Sequence, residues 1–151
     1  MWSGTVETKN VKSLERSTYH LLKRAAQHAA NLHSEKVGKH GLTQRQYAVL
    51  AAVDENEGIS QTSLVELTSI DRSTLADMVG RLIAQGYVRR KRDKKDARRN
   101  VLKLTAAGKR GLQTVGPDIA SVDRKLTHLI PKEHRKSFRA ALKILAGHSN
   151  N

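Results

Sequence analysis

No cysteine occurs anywhere in the 151 residues. That single absence removes disulfides, thiolate zinc sites, cysteine nucleophiles and thiol redox sensing. Aromatic residues are almost as scarce, 3% of a chain that is 38% hydrophobic. The core must therefore be built from Leu, Val, Ile and Ala, which suits helices packed on helices. No apolar run approaches the roughly 20 residues a membrane span needs, and Met1 to Lys12 lacks the apolar centre of a secretory signal. A cytoplasmic protein with no membrane association is the expectation. Acidic residues are also in short supply: 14 Asp and Glu stand against 28 Lys and Arg, a formal net charge of +14. An excess this one-sided implies a polyanionic partner, whether nucleic acid, an anionic membrane surface or a phosphate-bearing ligand. The membrane alternative lacks the large apolar face with exposed aromatics that it requires.

The length suits one domain with one core. Residues 1–10 read as a flexible arm. From Val11 to Lys36 the apolar residues Leu14, Leu21, Ala25, Ala29 and Leu32 recur on one helical stripe. Thr43 followed by Gln46 is a capping box opening the next helix, which carries Val49, Leu50 and Val53. Ser60 caps a short helix with Leu64 and Leu67 directed inward. Asp71 opens another, through Leu75, Met78, Val79, Leu82 and Ile83 to the terminating Gly86. The pattern then changes. Residues 87–92 and 101–104 read as two strands around a charged loop, and Thr105 caps a last helical region. There Leu112, Val115, Ile119, Val122, Leu126 and Leu129 are spaced 3, 4, 3, 4 and 3, a near-heptad seam. Gly116-Pro117 predicts a kink or a break in it. Pro131 opens a final helix with Phe138, Leu142 and Leu145 on its apolar side, and residues from 147 on are expected to fray. The fold class is mainly α with a small β-hairpin.

Two features carry function. The first is the pair of helices 60–68 and 71–85 joined by a tight turn, the pattern of a helix-turn-helix, whose second helix enters the major groove of double-stranded DNA. On it Arg72, Ser73, Thr74, Asp77 and Arg81 are the candidate contacts to phosphates and base edges. Asp77 could accept from a cytosine amino group or restrain a neighbouring arginine. An ordinary amphipathic helix pair has the same pattern. The second feature is the hairpin, with eight Lys or Arg and two Asp between Arg89 and Arg99. That density is self-repelling unless a polyanion neutralises it, and phosphate neutralisation supplies most non-specific affinity. Arg90, Arg92, Lys94, Lys95, Asp96, Arg98 and Arg99 are its candidate DNA-binding residues. A solvated edge hairpin guarding against aggregation is the alternative.

The runs Ser60-Gln61-Thr62-Ser63-Leu64, Asp71-Arg72-Ser73-Thr74-Leu75, Gly86-Tyr87-Val88-Arg89-Arg90, Asp93 to Arg99 and Leu104-Thr105-Ala106-Ala107-Gly108 resemble the MarR family of bacterial winged helix-turn-helix transcription regulators. The resemblance runs from about Leu14 to Leu145. It implies a winged helix-turn-helix over 42–104 with dimerisation helices at 11–40 and 105–147, hence a homodimer. Such a regulator would be cytoplasmic and nucleoid-associated, in a bacterium or archaeon. Arg98 matches the wing arginine that enters the minor groove, and Asp96 matches the acidic residue that orients it. Lys94 stands where the family usually has proline. The resemblance further implies a small anionic effector, an aromatic acid or acyl-CoA thioester, that releases the protein from a palindromic operator. Its candidate contacts are Tyr19, His20, Lys23, Arg24 and Tyr47. Lys23 and Arg24 would equally serve as a solvated face.

None of the seven histidines forms a His-x-x-x-His pair, so no metal site is expected. Nor is any organic cofactor. No phosphate-binding glycine loop, nucleophile motif or paired-carboxylate constellation points to an enzyme. The remaining rival is an architectural DNA-binding winged helix with no ligand, which sequence selectivity would distinguish.

Overall fold

The computed structural model describes residues 10–147. The expected arm at 1–10 lies outside the described residues except for Asn10, as do His148 and nearly all of the expected frayed tail. The first helical stretch is two helices, α1 (Lys12–Glu15) and α2 (Thr18–Val37). The single helix expected there is interrupted at Ser17, whose backbone is extended and whose Oγ accepts the His20 N–H at 3.2 Å. A serine that can bond a nearby amide competes with helix continuation and caps the new helix instead.

A 3-10 turn over Gly38–His40 leads to α3 (Gln44–Glu55). The capping box forms as read, with Thr43 Oγ1 accepting from Gln46 N–H at 3.2 Å and Gln46 Oε1 from Thr43 N–H at 3.0 Å. A strand of two residues, β1 (Ile59–Ser60), precedes α4 (Gln61–Thr68). Leu64 is fully buried, but Leu67 is 61% exposed, against the expectation that both point inward. The inward arc of α4 is centred between Leu64 and Val65, and at 100° per residue Leu67 lies about 110° from that centre. Then come α5 (Arg72–Ala84), with Leu75, Val79 and Leu82 buried, and the strands β2 (Val88–Arg92) and β3 (Asn100–Leu104).

The sheet is antiparallel in the order β1-β3-β2, with Ile59 opposite Leu102 and Val88 opposite Leu104. The hairpin is thus part of a three-stranded sheet, and Leu102 on the middle strand is fully buried. Helix α6 (Ala106–His128) runs without a break through Pro117. The expected break is overridden because Val115 and Val122, on either side of the proline, are both buried, while Pro117 itself is exposed and places its ring in solvent. After a 3-10 turn (Lys132–His134) comes α7 (Arg135–Gly147). It opens at Arg135, since Pro131 takes an extended conformation (φ −51°, ψ 140°) ahead of the turn.

One core joins these elements: Val37, Val49, Leu50, Val53, Leu64, Leu75, Val79, Leu82, Val88, Leu102 and Val115. The joint between α5, the sheet and α6 is built from the Leu-Thr-x-x-Gly run. Thr105 N–H donates to Tyr87 O at 3.0 Å, its hydroxyl donates to Gly86 O at 2.5 Å, and the same oxygen accepts Gly108 N–H at 3.0 Å. A Cβ on Gly108 would lie 2.2 Å from Tyr87 O, so only glycine fits. Two charged braces complete the frame. Lys103 on β3 pairs with Glu57, and His40 and Lys39 meet Asp118 of α6 at 2.8 and 3.4 Å. The Lys103 ammonium holds the Glu57 carboxyl below its ordinary pKa, and His40 followed by Lys39 does the same for Asp118.

Candidate nucleic-acid interface

Helix α5 begins at an ordered cap. Asp71 Oδ1 accepts the Thr74 N–H and the Ser73 hydroxyl, both at 2.9 Å. Bonds from Thr74 and then Ser73 favour the ionised form and hold the Asp71 carboxyl down to about 2. The cap also sorts the candidate residues of this helix. Ser73 is exposed but gives its hydroxyl proton to Asp71, and Thr74 is half-buried. The open face presents Arg72, Ala76, Asp77, Gly80 and Arg81. Asp77 and Arg81 form an ion pair at 3.0 Å across one helical turn. Of the two roles read for Asp77, the free protein adopts the one that restrains an arginine. Small side chains at Ala76 and Gly80 leave room for this face to approach a partner closely.

The wing projects beside α5. Arg90 and Arg92 lie on the edge strand β2, opposite Leu102 and Asn100, and all wing cations from Arg89 to Arg99 are exposed. Two aspartates shape its tip. Asp93 Oδ1 accepts the Lys95 N–H and Asp96 Oδ1 accepts the Arg98 N–H, each at 3.0 Å. These are Asx-type turns, in which a short carboxylate mimics a backbone acceptor. They set the turns of the tip on either side of Lys94 and Lys95. Asp96 is tied to Arg98, but through the backbone amide. Among the described residues no ion pair involves any cation between Arg89 and Arg99.

Arg72, Arg98 and Arg99 converge on a cleft of about 230 Å³ between the starts of α4 and α5 and the base of the wing. Sequence reading named the three arginines separately and missed their meeting, since the chain between Ser60 and Arg99 separates the walls.

The candidate effector residues lie on two helices, α2 and α3. Tyr19, Lys23 and Arg24 stand exposed on α2, with the Lys23 ammonium 5.8 Å from the centre of the Tyr19 ring, and His20 is half-buried. Tyr47 lies on α3 and packs against the core. No hydrogen bond or ion pair joins the two groups among the described residues. Two further grooves exist that the sequence did not reveal. One, of about 520 Å³, lies between α2 and α6 and is lined by His28, Leu32, Arg124, Lys125 and His128. The other, of about 600 Å³, lies between α2 and the start of α3 and includes Arg45 and His33. His33 is buried, its Nε2 has no hydrogen-bond partner among the described residues, and burial lowers its pKa. No cluster of three metal-ligating side chains occurs among the described residues, and no described helix is long and apolar enough to cross a membrane.

A capped helix pair, a three-stranded sheet ending in a cationic wing and flanking long helices define a winged helix-turn-helix protein. Comparison with known proteins narrows the class. The pattern of the MarR family matches residues 40–99. Over 97 residues the chain is 37% identical to the transcriptional regulator HosA of Escherichia coli O127:H6 (strain E2348/69 / EPEC), covering 64% of this chain and 72% of that one. Among solved structures it is similar to the PcaV transcriptional regulator from Streptomyces coelicolor in complex with its natural ligand. That match has a TM-score of 0.84 at 29% identity, over 92% of this chain and 98% of the other. It is also similar to the transcriptional repressor CouR bound to a 23-mer DNA duplex, with a TM-score of 0.86 at 27% identity, over 91% and 98%. The chain belongs to the MarR family. It is a DNA-binding transcription regulator and not an enzyme.

Proposed function

We propose that the chain is a homodimeric repressor that binds a pseudo-palindromic operator and leaves it when a small anionic effector binds. The observation that carries this reading is the wing: exposed cations with no ion-pair partner among the described residues, standing beside the open face of α5. In this reading Arg72, Asp77 and Arg81 approach base edges and phosphates in the major groove. Arg98, with Lys94 and Lys95 at the tip, reaches the adjacent minor groove, where negative potential attracts arginine. Arg90, Arg92 and Arg99 neutralise phosphates, and the aspartates hold the geometry.

The homodimer is supported by uncovered apolar surface. No residue of α7 is buried, and Phe138, Leu142, Ile144 and Leu145 are 42%, 39%, 62% and 51% exposed. A helix of this length is marginal alone in water, and apolar surface of that kind marks an association face. Leu14, Leu21 and Leu22 add to it from α1 and α2. Two-fold symmetry then sets half-sites about 10 bp apart or a multiple of that. An effector is supported by PcaV, solved with its natural ligand, and by the cationic face of α2 around Lys23 and Arg24. An aromatic acid or acyl-CoA thioester fits that charge.

Selection of bound duplexes from a random pool tests the central claim. An enriched palindrome preferred by roughly a thousandfold over random duplex supports it. Binding without enrichment would identify an architectural protein instead. For the effector, a panel of aromatic acids and their thioesters is expected to contain a compound that raises the melting temperature and releases DNA. A broad panel that moves neither would remove the ligand from the proposal.

A further inference from the structure

We propose that the cleft between α4, α5 and the base of the wing is a seat for one phosphodiester of the duplex backbone, with Arg99 as its positioning residue. The inference rests on the reading that this face meets DNA, and adds where one phosphate sits and what holds it.

Arg72 and Arg99 line the cleft together with Arg98, whose guanidinium is left for the minor groove, and among the described residues no Asp or Glu lines it. Arg99 is also anchored. Its Nη2 donates to Ser60 Oγ at 3.4 Å. Ser60 is a fixed post: it is 7% exposed, its hydroxyl donates to Ser63 Oγ at 3.0 Å and its oxygen accepts Ser63 N–H at 3.1 Å. A guanidinium has five N–H donors in a rigid fork, so one weak bond to Ser60 leaves the rest for an anion. The backbone is fixed as well, with Arg99 N–H donating to Asp96 O at 3.0 Å and Arg99 O accepting Asp93 N–H at 2.9 Å. Arg72 is set from the other wall by the Asp71 cap.

A cleft lined by cations and no acid attracts an anion. Its position says which one. Its walls belong to the first helix of the pair, the recognition helix and the wing, the three elements that must keep register on a duplex. A single phosphate held between them would fix the helix in its groove and the wing in the next, a positioning role of the kind backbone contacts play. Free inorganic phosphate presents similar oxygens but bridges to no second contact, so the duplex is the occupant.

The test compares wild type, Arg99→Ala and a charge-matched control, Arg110→Ala on α6, on a mixed-sequence duplex and on the duplex recovered by selection. Each neutralised phosphate contributes a slope of about −0.9 to log affinity against log salt. Arg99→Ala is expected to shallow the slope by about 0.9 per half-site. Its defect would therefore shrink about 3.5-fold per half-site for a fourfold rise in salt, with the melting temperature of the free protein unchanged. On the selected duplex, a neutral methylphosphonate at one backbone position per half-site should weaken wild type but leave Arg99→Ala indifferent. If wild type binds no duplex, the regulator reading falls and this inference with it. If wild type binds while Arg99→Ala keeps the full slope and is as sensitive as wild type at every methylphosphonate position, the seat is refuted and the regulator reading stands. Release of DNA by millimolar inorganic phosphate at constant ionic strength would assign the cleft to a free anion and also refute it.

Discussion

Replacing Gly108 with alanine tests the joint that aims the wing. The new Cβ would lie 2.2 Å from Tyr87 O and 3.1 Å from its carbonyl carbon. Both belong to backbone, so no flexible side chain can swing aside. Either the first turn of α6 retreats by about 1 Å or the Tyr87 carbonyl rotates, and rotation breaks the 3.0 Å bond it accepts from Thr105 N–H. Overpacking of this kind costs about 1–3 kcal/mol, and losing one backbone hydrogen bond adds about 0.5–1.5 kcal/mol. Alanine returns about 1 kcal/mol through helix propensity. The net is a destabilisation of about 0.5–3.5 kcal/mol, a fall in melting temperature of about 1–14 °C for a chain of this size.

Gly111 supplies the internal control. It lies one turn further along α6, and a Cβ there meets nothing within 4 Å, so Gly111→Ala should hold or raise the melting temperature. Thermal unfolding of both variants by circular dichroism decides the matter. Equal melting temperatures for the two alanine variants would show that the joint yields freely and that Gly108 is not sterically required. The same distortion moves the wing relative to α5, so Gly108→Ala should also weaken duplex binding below its melting temperature.

Asp71→Ala should lower the melting temperature at pH 7 by removing the α5 cap. Because the folded pKa is depressed from 3.8 to about 2, the carboxylate's contribution is complete above about pH 4 and is lost as pH falls toward 2. The gap between wild type and variant should therefore close over that window, and a gap constant with pH would contradict the assignment. Leu142→Glu, on the uncovered face of α7, should shift sedimentation from dimer to monomer at micromolar concentration; an unchanged mass would move the interface elsewhere. Arg98→Ala should leave the melting temperature unchanged and weaken duplex binding, and unchanged affinity at moderate salt would remove Arg98 from the interface.

Features decided by neighbours in the chain were legible in the sequence. The Thr43–Gln46 box, the Ser60, Asp71 and Thr105 caps and the wing's charge each need only a few consecutive residues. Features decided across the fold were not. A two-residue strand such as β1 has no alternation to read, so the third strand was invisible. Leu67 matched the inward period, but the inward arc of an eight-residue helix is set by what packs on it. The Leu-Thr-x-x-Gly run was recognisable as a motif, yet its cause, a carbonyl 21 positions before Gly108, exists only in the folded chain. The arginine cleft depends on a bond between residues 39 apart.

The wing aspartates offer the sharpest separation of two ways an acid can serve a cationic loop. Were Asp96 placed to neutralise Arg98, its carboxylate would meet the guanidinium. It instead accepts the Arg98 backbone N–H at 3.0 Å, which sets the turn and leaves the guanidinium with no ion-pair partner among the described residues. The difference is measurable because asparagine can make the same Asx bond without the charge. Asp96→Asn should preserve the turn, raise the local positive potential and bind duplex at least as tightly as wild type, with a steeper dependence on salt. Asp96→Ala removes the charge and the turn together and should bind more weakly than Asp96→Asn despite an identical net charge. If the two variants bind alike, the charge of Asp96 is what matters and the backbone bond is incidental. If they separate as expected, the wing is a loop whose acids order its backbone while leaving its cations free for phosphate.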